Sequence, residues 1–315
     1  MWKLSTGTVV EEKMRERALK EDYEHLVHSF IFNIRDKDWL DYFSESELKE
    51  IQEYNAVELP PVSEEVEEYL NELKGLSTTS LYTKVSSEEL DLRTDAKWVQ
   101  DVFLQAFRLL QSGFVPISNI TEGGLLKRVW ACIDACFDFS NITCISLLSR
   151  QKSGRKMDHL FLYKNNELGC GECGLVGGVN TTKELSDANF KMPRVMRDML
   201  IKLVGLSPAL KRNPVITGFY IEEMKLKMVV LDSPCGYVTR YDVMNDSLYP
   251  EDKCQLYRKL SVVVRVIVGA RKLMEQTAFK LMNDTTEISV GKHQVEHMIP
   301  SFISNSSNKK RKQEL

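Results

Sequence analysis

The chain has 315 residues, of which 43% are hydrophobic and 28% are charged, values typical of globular proteins. This composition excludes a fibrous repeat and wholesale disorder, and the length allows a large buried core. The formal net charge of −3 excludes a global basic field, so a nucleic-acid partner would have to be bound by a local basic patch. No apolar run approaches the roughly 18 residues of a membrane span, and we expect no membrane association.

The cysteines indicate a reducing compartment. They number seven and their spacing is irregular, which fits free thiols better than a disulfide framework. The first eight residues also lack the basic and apolar segments of a secretory signal. We therefore expect an intracellular protein, in the nucleus or the cytoplasm.

Residues 1–80 predict a helical N-terminal region that precedes the core. Apolar residues recur there at helical spacing in three segments. The predicted helices span residues 10–32, 44–54 and 63–75. Ser44 and Glu47 have the spacing of a capping box, which favours a helix start at this point. The Ser- and Thr-rich stretch 76–83 is interpreted as a connector.

Residues 81–300 predict an α+β core. Amphipathic helical patterns are interrupted by short apolar and β-branched segments that are typical of strands. Helices are predicted at residues 95–113, 125–137, 192–204 and 251–282, and strands at 142–148, 158–163, 167–175, 215–221, 226–231 and 237–243. Asn165-Asn166 is the expected hairpin turn. This order predicts a small mixed sheet flanked by helices.

Two carboxylates in the predicted hairpin form the best candidate for chemistry. Asp158 begins one strand and Glu172 lies in the next. Carboxylate oxygens are ligands that Mg²⁺ or Mn²⁺ prefers, and a nearby cation would stabilise the charge that develops during phosphodiester hydrolysis. The alternative is an exposed strand residue and a surface ion pair, which would contribute roughly 0–1 kcal/mol. Burial of Glu172 would favour the functional interpretation.

The order helix, three strands, helix, strand, with this Asp and Glu, resembles the core of the PD-(D/E)XK nuclease superfamily over about Trp98–Asp232. The resemblance implies a restriction-endonuclease-like fold and a metal ion held by Asp158 and Glu172. The superfamily's usual lysine would fall at position 174, where this chain has Gly174. A basic residue from another element must then replace it, and the candidates are Lys156, which we assign first, and Lys183, Lys191 and Arg194.

A second resemblance covers most of the chain. Three motifs resemble a many-copy family of uncharacterised fungal proteins: Lys3-Leu4-Ser5-Thr6-Gly7-Thr8, Ser153-Gly154-Arg155-Lys156-Met157-Asp158 and Glu167-Leu168-Gly169-Cys170-Gly171-Glu172. This likeness implies no particular activity.

Strand geometry sets a condition on the metal site. With a strict two-residue turn at Asn165-Asn166, side chains alternate so that Asp158 and Glu172 point to opposite faces of the sheet. A three-residue loop or a β-bulge is needed to bring them together. Gly169 and Gly171 are the residue type that bulges favour.

Basic residues predict two further features. Lys191, Arg194 and Lys202, together with Arg197, form a stripe on the strongest helix, which is a candidate nucleic-acid surface or a solvated helix face. The tail 301–315 is expected to be disordered, and its Lys309, Lys310, Arg311 and Lys312 resemble a nuclear localisation signal or serve as a solubilising terminus.

Other candidate metal or redox residues are weaker. Cys170 and Cys173 have a CxxC spacing but are expected inside a strand, where the helix N-terminus that activates such thiols is absent. His159 is a candidate extra ligand beside the two carboxylates.

The function expected from the two carboxylates and the first resemblance is a nuclease-like protein that acts on or binds nucleic acid. A non-catalytic scaffold with the same fold is the alternative.

Overall fold

Runs of helices and runs of strands make up the described part of the chain, which comprises residues 1–117, 120–146, 157–175 and 190–283 of a computed structural model. Its α-helices are α1 (Val10–Lys20), α2 (Glu45–Glu53), α3 (Glu64–Leu73), α4 (Thr78–Ser87), α5 (Asp95–Gln111), α6 (Glu122–Arg128), α7 (Ala131–Ala135), α8 (Met192–Leu206) and α9 (Leu256–Asn283). Its strands are β1 (Ile31–Asn33), β2 (Thr143–Ser146), β3 (His159–Tyr163), β4 (Asn166–Gly174), β5 (Ile216–Glu222), β6 (Lys225–Asp232) and β7 (Thr239–Leu248). The predicted α+β class is confirmed.

The strands form one seven-stranded mixed sheet in the order β1-β7-β6-β5-β4-β3-β2. Neighbours are antiparallel except for the two parallel pairs, β1 with β7 and β4 with β5. Strands β2, β3 and β4 form a meander, and the connection that contains α8 then leads to β5 beside β4, since parallel neighbours require a crossover. In the order of helix, three strands, helix and strand that the sequence predicts, the third and fourth strands are therefore β4 and β5, and they are adjacent in the sheet.

Helices α8 and α9 cover opposite faces of this sheet. A side chain added at Gly218 would meet Met192 of α8, whereas one added at Gly169 would meet Met274 of α9. Gly218 is aligned with Cys170, the residue after Gly169. Because successive strand residues point to opposite faces, the two helices enclose β4 and β5 between them. Within the described ranges, none of the helices combines the length and apolarity required to cross a lipid bilayer.

The N-terminal region is partly helical but also completes the sheet. The first helix predicted there, over residues 10–32, is too long. Helix α1 ends at Lys20 and is followed by a 3-10 turn and β1. The His28 ring contacts the Ala18 carbonyl oxygen with Nε2 at 3.0 Å, so the chain folds back on α1. His25 and His28 cap this turn. The apolar residues after α1 are therefore buried by a turn and a strand.

Two other predicted boundaries were wrong. The connector expected at residues 76–83 is largely helix α4, because Ser77 caps its N-terminus and Leu81 and Val85 are buried on its inner face. The helix expected at 125–137 is divided into α6 and α7. Trp130 lies between them, fully buried, and its indole N–H donates to the carbonyl oxygen of Glu223 at 2.8 Å. A tertiary hydrogen bond thus interrupts a continuous helical pattern.

The N-terminal motif Lys3-Leu4-Ser5-Thr6-Gly7-Thr8 docks on the start of α2. The hydroxyl groups of Thr6 and Thr8 donate to Glu47 Oε1 at 2.6 and 2.5 Å. Glu47 also closes the predicted capping box, accepting from the Ser44 N–H at 2.9 Å. The capping-box prediction is confirmed. The same carboxylate also binds the N-terminal motif through Thr6 and Thr8.

A buried ion pair connects α2 to the sheet. Arg240 of β7 lies 2.6 Å from Asp232 of β6, and both side chains are almost fully buried. The remaining Arg240 hydrogen bonds go to carbonyl oxygens at the C-terminal end of α2, in Ile51, Gln52, Tyr54 and Asn55. A guanidinium has five N–H donors in a planar fork, which suits this multiple engagement.

We expect Asp232→Asn to destabilise the protein by about 3–5 kcal/mol, because it leaves the buried Arg240 charge without its carboxylate. Asp246→Asn is the matched control: Asp246 pairs with Lys225 at the same 2.6 Å, but its side chain is 48% exposed. The control should lose only about 0–1 kcal/mol. Urea unfolding of both variants measures the difference, and equal losses would contradict a dominant role for the buried pair.

Acid should weaken the docking of the N-terminal motif. Hydrogen bonds from Thr6 and Thr8 lower the pKa of Glu47 from 4.5 to about 2. A lowered folded-state pKa stabilises the fold above pH 4.5, and this contribution is lost as the pH falls towards 2. The stability advantage of wild type over Glu47→Gln should therefore shrink across that window. Denaturant titrations at several pH values measure it, with Glu53→Gln, on the exposed side of α2, as the control that should follow wild type.

Candidate functional site

The turn between β3 and β4 differs from the prediction by one residue. Tyr163 pairs with Asn166, so the turn residues are Lys164 and Asn165, not Asn165-Asn166. Lys164 adopts φ +55°, a conformation that turns of this kind require. The bulge that the sequence analysis required is present: the register shifts opposite Phe161 and Leu162, where β4 contains one extra residue.

The bulge sets the positions of the two predicted metal ligands. His159 pairs with Gly171; Asp158 comes just before β3, and Glu172 follows Gly171 within β4. The Asp158 N–H donates to the Gly171 carbonyl oxygen at 2.9 Å. The Asp158 carboxylate accepts from the Cys173 N–H at 2.7 Å, which fastens the residue before β3 to β4. Both predicted ligands thus lie at one end of the hairpin, Glu172 within β4 and Asp158 next to the start of β3.

Glu172 is buried and joined to a lysine. Its side chain is 10% exposed, and Lys191 Nζ lies 2.6 Å from its Oε1 atom. Lys191 immediately precedes α8, so the helix start carries the ammonium group to β4. Lys191 was one of the candidates for the basic residue that Gly174 does not supply. Lys156, which we assigned first, lies outside the described residues, as do Lys183 and the basic tail.

The predicted basic stripe is largely neutralised by carboxylates. Arg194 forms an ion pair with Glu24 of the N-terminal region, and Lys202 pairs with Glu167 of β4 at 3.5 Å. Arg197 is buried rather than exposed, and burial lowers the pKa of its guanidinium to about 10. The stripe is therefore not an open row of cations along α8.

His159 does not join the two carboxylates as predicted. A Cβ atom added at Gly171 would lie 3.2 Å from the His159 Cβ, so these two residues share a face of the sheet. Glu172 follows Gly171 and therefore points to the opposite face, towards α8. His159 points towards α7, where its Nε2 lies 3.0 Å from Asp134 Oδ1.

Asp134, Cys144 and His159 form a second cluster that the sequence analysis missed. They come from α7, β2 and β3, and their ligand atoms all lie within 4.8 Å of one another. The Cys144 thiol donates to Asp134 Oδ1 at 3.1 Å, and the Ser146 hydroxyl donates to Asp134 Oδ2 at 2.7 Å. Three residues from separate elements give no local motif. Only the β2–β3 pairing in the folded sheet, where Ser146 is aligned with His159, brings them together.

Charge within this cluster is concentrated on Asp134. Burial opposes its ionisation, but hydrogen bonds from His159, Ser146 and Cys144 lower its pKa to about 2. Burial, reinforced by Asp134, raises the pKa of the Cys144 thiol. The cluster is thus an ionised carboxylate surrounded by donors, with Asp134 itself 43% exposed and His159 only 4% exposed. Its donor set of oxygen, sulfur and nitrogen is capable of binding a metal ion.

The CxxC pair lies inside a strand, as the sequence predicts. Cys170 and Cys173 are both buried in β4. Burial raises the pKa of both thiols. Because the thiolate is the reactive form, neither residue is prepared for redox chemistry.

We expect Gly169→Ala to destabilise the protein by about 1–3 kcal/mol, because the new methyl group would collide with the Thr217 carbonyl oxygen of β5 and with Met274 of α9. Gly123→Ala is the control, since nothing lies within 4 Å of a Cβ atom there and α6 is helical. That variant should be neutral or stabilised by up to about 1 kcal/mol. Thermal or urea unfolding tests both, and a harmless Gly169→Ala would show that β4 and β5 are less closely packed.

No known protein family model matches this chain, and neither the curated proteins nor the solved structures include one with significant similarity to it.

Proposed function

We propose that the protein is a PD-(D/E)XK-like nuclease that binds nucleic acid and uses Mg²⁺ or Mn²⁺ held by Asp158 and Glu172. The observation that carries this proposal is the buried Glu172–Lys191 pair, which adjoins Cys173, the residue whose N–H binds the Asp158 carboxylate. A carboxylate placed in a buried strand of glycines and cysteines costs free energy unless a partner compensates it. Such placement is typical of functional sites more than of surface ion pairs.

Lys191 supplies the basic group that position 174 does not. In the superfamily that the sequence resembles, the lysine lies two residues after the glutamate on the same strand face. Here Lys191 reaches the same glutamate from the start of α8, with its Nζ atom 2.6 Å from Oε1. A cation at this position would stabilise negative charge on a phosphate bound next to Glu172.

The connectivity of the sheet also supports the proposal. The meander β2–β3–β4 is followed by α8 and by β5, which is parallel to β4. Glu172 lies within β4 and Asp158 directly precedes β3, the two inner strands of this arrangement. A fold alone does not define an activity, so the residues at the end of the β3–β4 hairpin carry the functional argument.

The residues present are compatible with a hard divalent cation. Asp158 and Glu172 offer oxygen ligands, which Mg²⁺ and Mn²⁺ prefer. A carboxylate has about four acceptor positions, so the hydrogen bonds to the Cys173 N–H and to Lys191 are compatible with metal ligation. When bound, the cation would activate a water molecule for attack on the phosphodiester. Lys191 would then orient Glu172 and attract the phosphate, while Asp158 holds the two strands in register.

A non-catalytic nucleic-acid- or protein-binding scaffold is the second candidate. It is favoured by the carboxylate partners of the basic stripe, Glu24 for Arg194 and Glu167 for Lys202. A surface that must attract a polyanion ordinarily presents cations that are not neutralised. The two candidates differ in whether phosphodiester bonds are broken.

We expect plasmid, single-stranded DNA or RNA to be cleaved by the wild-type chain in Mg²⁺ or Mn²⁺, and the double variant Asp158→Asn, Glu172→Gln to lose about 100-fold or more of this rate. Lys191→Gln should cause a loss of similar size. Asp246→Asn is the matched control, because it breaks a carboxylate–lysine pair of β6 and β7, away from α8 and β4, and should leave cleavage unchanged.

Circular dichroism should show that all of these variants remain folded. Equal behaviour of the wild type and the double variant with both metal ions would refute the enzymatic proposal. Retained nucleic-acid binding by both, without cleavage, would support the scaffold.

A further inference from the structure

We propose that Asp134, Cys144 and His159 form a binding site for a transition-metal ion, with Zn²⁺ as the best fit. The site lies between α7 and the β2–β3 pair, on the sheet face opposite to the one that Glu172 occupies. It is therefore distinct from the proposed magnesium site, and it does not rest on the nuclease proposal.

The spacing of the ligand atoms is close to that of a zinc site. Bond lengths of about 2.0–2.3 Å and tetrahedral angles require ligand atoms about 3.4–3.6 Å apart. Asp134 Oδ1 lies 3.0 Å from His159 Nε2 and 3.1 Å from Cys144 Sγ. The Asp134 distances to the other two ligand atoms would thus have to lengthen by a few tenths of an ångström, and the Cys144 and His159 ligand atoms lie within 4.8 Å of each other.

The donor types select the class of metal. A thiolate and an imidazole favour Zn²⁺ and related transition metals, whereas Mg²⁺ and Ca²⁺ prefer oxygen ligands throughout. Three protein ligands leave a fourth tetrahedral position for water, as in open zinc sites. Ser146, which donates to the second oxygen of Asp134 at 2.7 Å, holds that carboxylate in the orientation that ligation needs.

An ion can reach this cluster from solvent. Asp134 is 43% exposed, and β2 is the outermost strand of the sheet, paired with β3 alone among the described strands. His159 is buried beneath, so the ion would sit at the surface with one deep ligand. Binding would join α7, β2 and β3 through a single centre and would stabilise this edge of the sheet.

Two protons must leave their present positions when the ion binds. The Cys144 thiol, which donates to Asp134, loses its proton to solvent as its sulfur binds the ion. The proton with which His159 Nε2 faces Asp134 also has to leave this nitrogen, since only an unprotonated Nε2 can be a ligand, and solvent takes it up while Nδ1 carries the ring proton. Ion binding is therefore coupled to proton release, and no oxidation or reduction takes place.

The test is a titration of the full chain, first freed of metal by a chelator, with Zn²⁺ in a calorimeter and with Co²⁺ in a spectrophotometer. We expect one high-affinity ion per chain, a rise in the unfolding temperature, and the visible and thiolate charge-transfer bands of tetrahedral Co²⁺. Cys144→Ser should weaken binding by about 100-fold or more and abolish the charge-transfer band. Cys235→Ser, which alters another half-buried cysteine, should bind like wild type.

Two further variants make the result decisive. Asp134→Asn keeps the size of the side chain and should also lose the ion. The double variant Asp158→Asn, Glu172→Gln should retain it, so failure of the nuclease proposal and failure of this one are distinguishable. Absence of Zn²⁺ binding to folded wild type, or equal binding by wild type and Cys144→Ser, would overturn the proposal and leave a hydrogen-bonded trio.

Discussion

The register of β3 against β4 decides which helix Glu172 faces. The extra residue of β4 opposite Phe161 and Leu162 shifts all later pairs by one position. As a result Glu172 faces α8, where Lys191 binds it, whereas Gly171 lies on the face of His159. Because side chains alternate along a strand, β4 without the extra residue would turn Glu172 to the opposite face, away from Lys191. The carboxylate–lysine pair thus depends on this irregularity, whereas the regular pairing of β2 with β3 places His159 near Asp134.

The composition of β4 explains why the bulge is tolerated there. Its glycines allow unusually close neighbours: the Thr217 carbonyl oxygen of β5 lies over Gly169, and the His159 ring lies over Gly171. A strand with small residues on one face can be enclosed between two helices, and it then has little space for a charged side chain. Glu172 is such a side chain, and Lys191 compensates its burial. The buried carboxylate of the enclosed strand is thus fixed by a lysine at the start of the helix that covers it.

Local signals in the sequence were sufficient for the class of fold and for most elements. The capping box at Ser44, the amphipathic pattern of α8 and the alternating strands are properties of neighbouring residues, and the structure has them. Prediction was wrong where distant contacts decided the outcome. Trp130 interrupts a helical pattern because its indole N–H donates to the carbonyl oxygen of Glu223, 93 residues away. Helix α4 forms because Leu81 is buried in the hydrophobic core.

The same reasoning separates the site residues that could be predicted from those that could not. Asp158 and Glu172 were accessible because both belong to one hairpin. The choice of Lys191 among several basic residues depends on where α8 begins relative to β4, which periodicity does not specify. Asp134 and Cys144 had no motif at all, since helix, edge strand and inner strand meet only after the sheet has formed.

The N-terminal region has a part in the electrostatics of the core that its helical pattern did not indicate. It supplies Glu24 and Ser29 to Arg194 of α8, and β1 extends the sheet beside β7. A polyanion that approached α8 would compete with Glu24 for Arg194, and such competition depends on ionic strength because the carboxylate is exposed. The N-terminal region thus restricts the basic surface available to a ligand. Under the proposed function, the Lys191 end of α8, next to Glu172, is therefore the part of the helix that we expect to receive the phosphate and the metal ion.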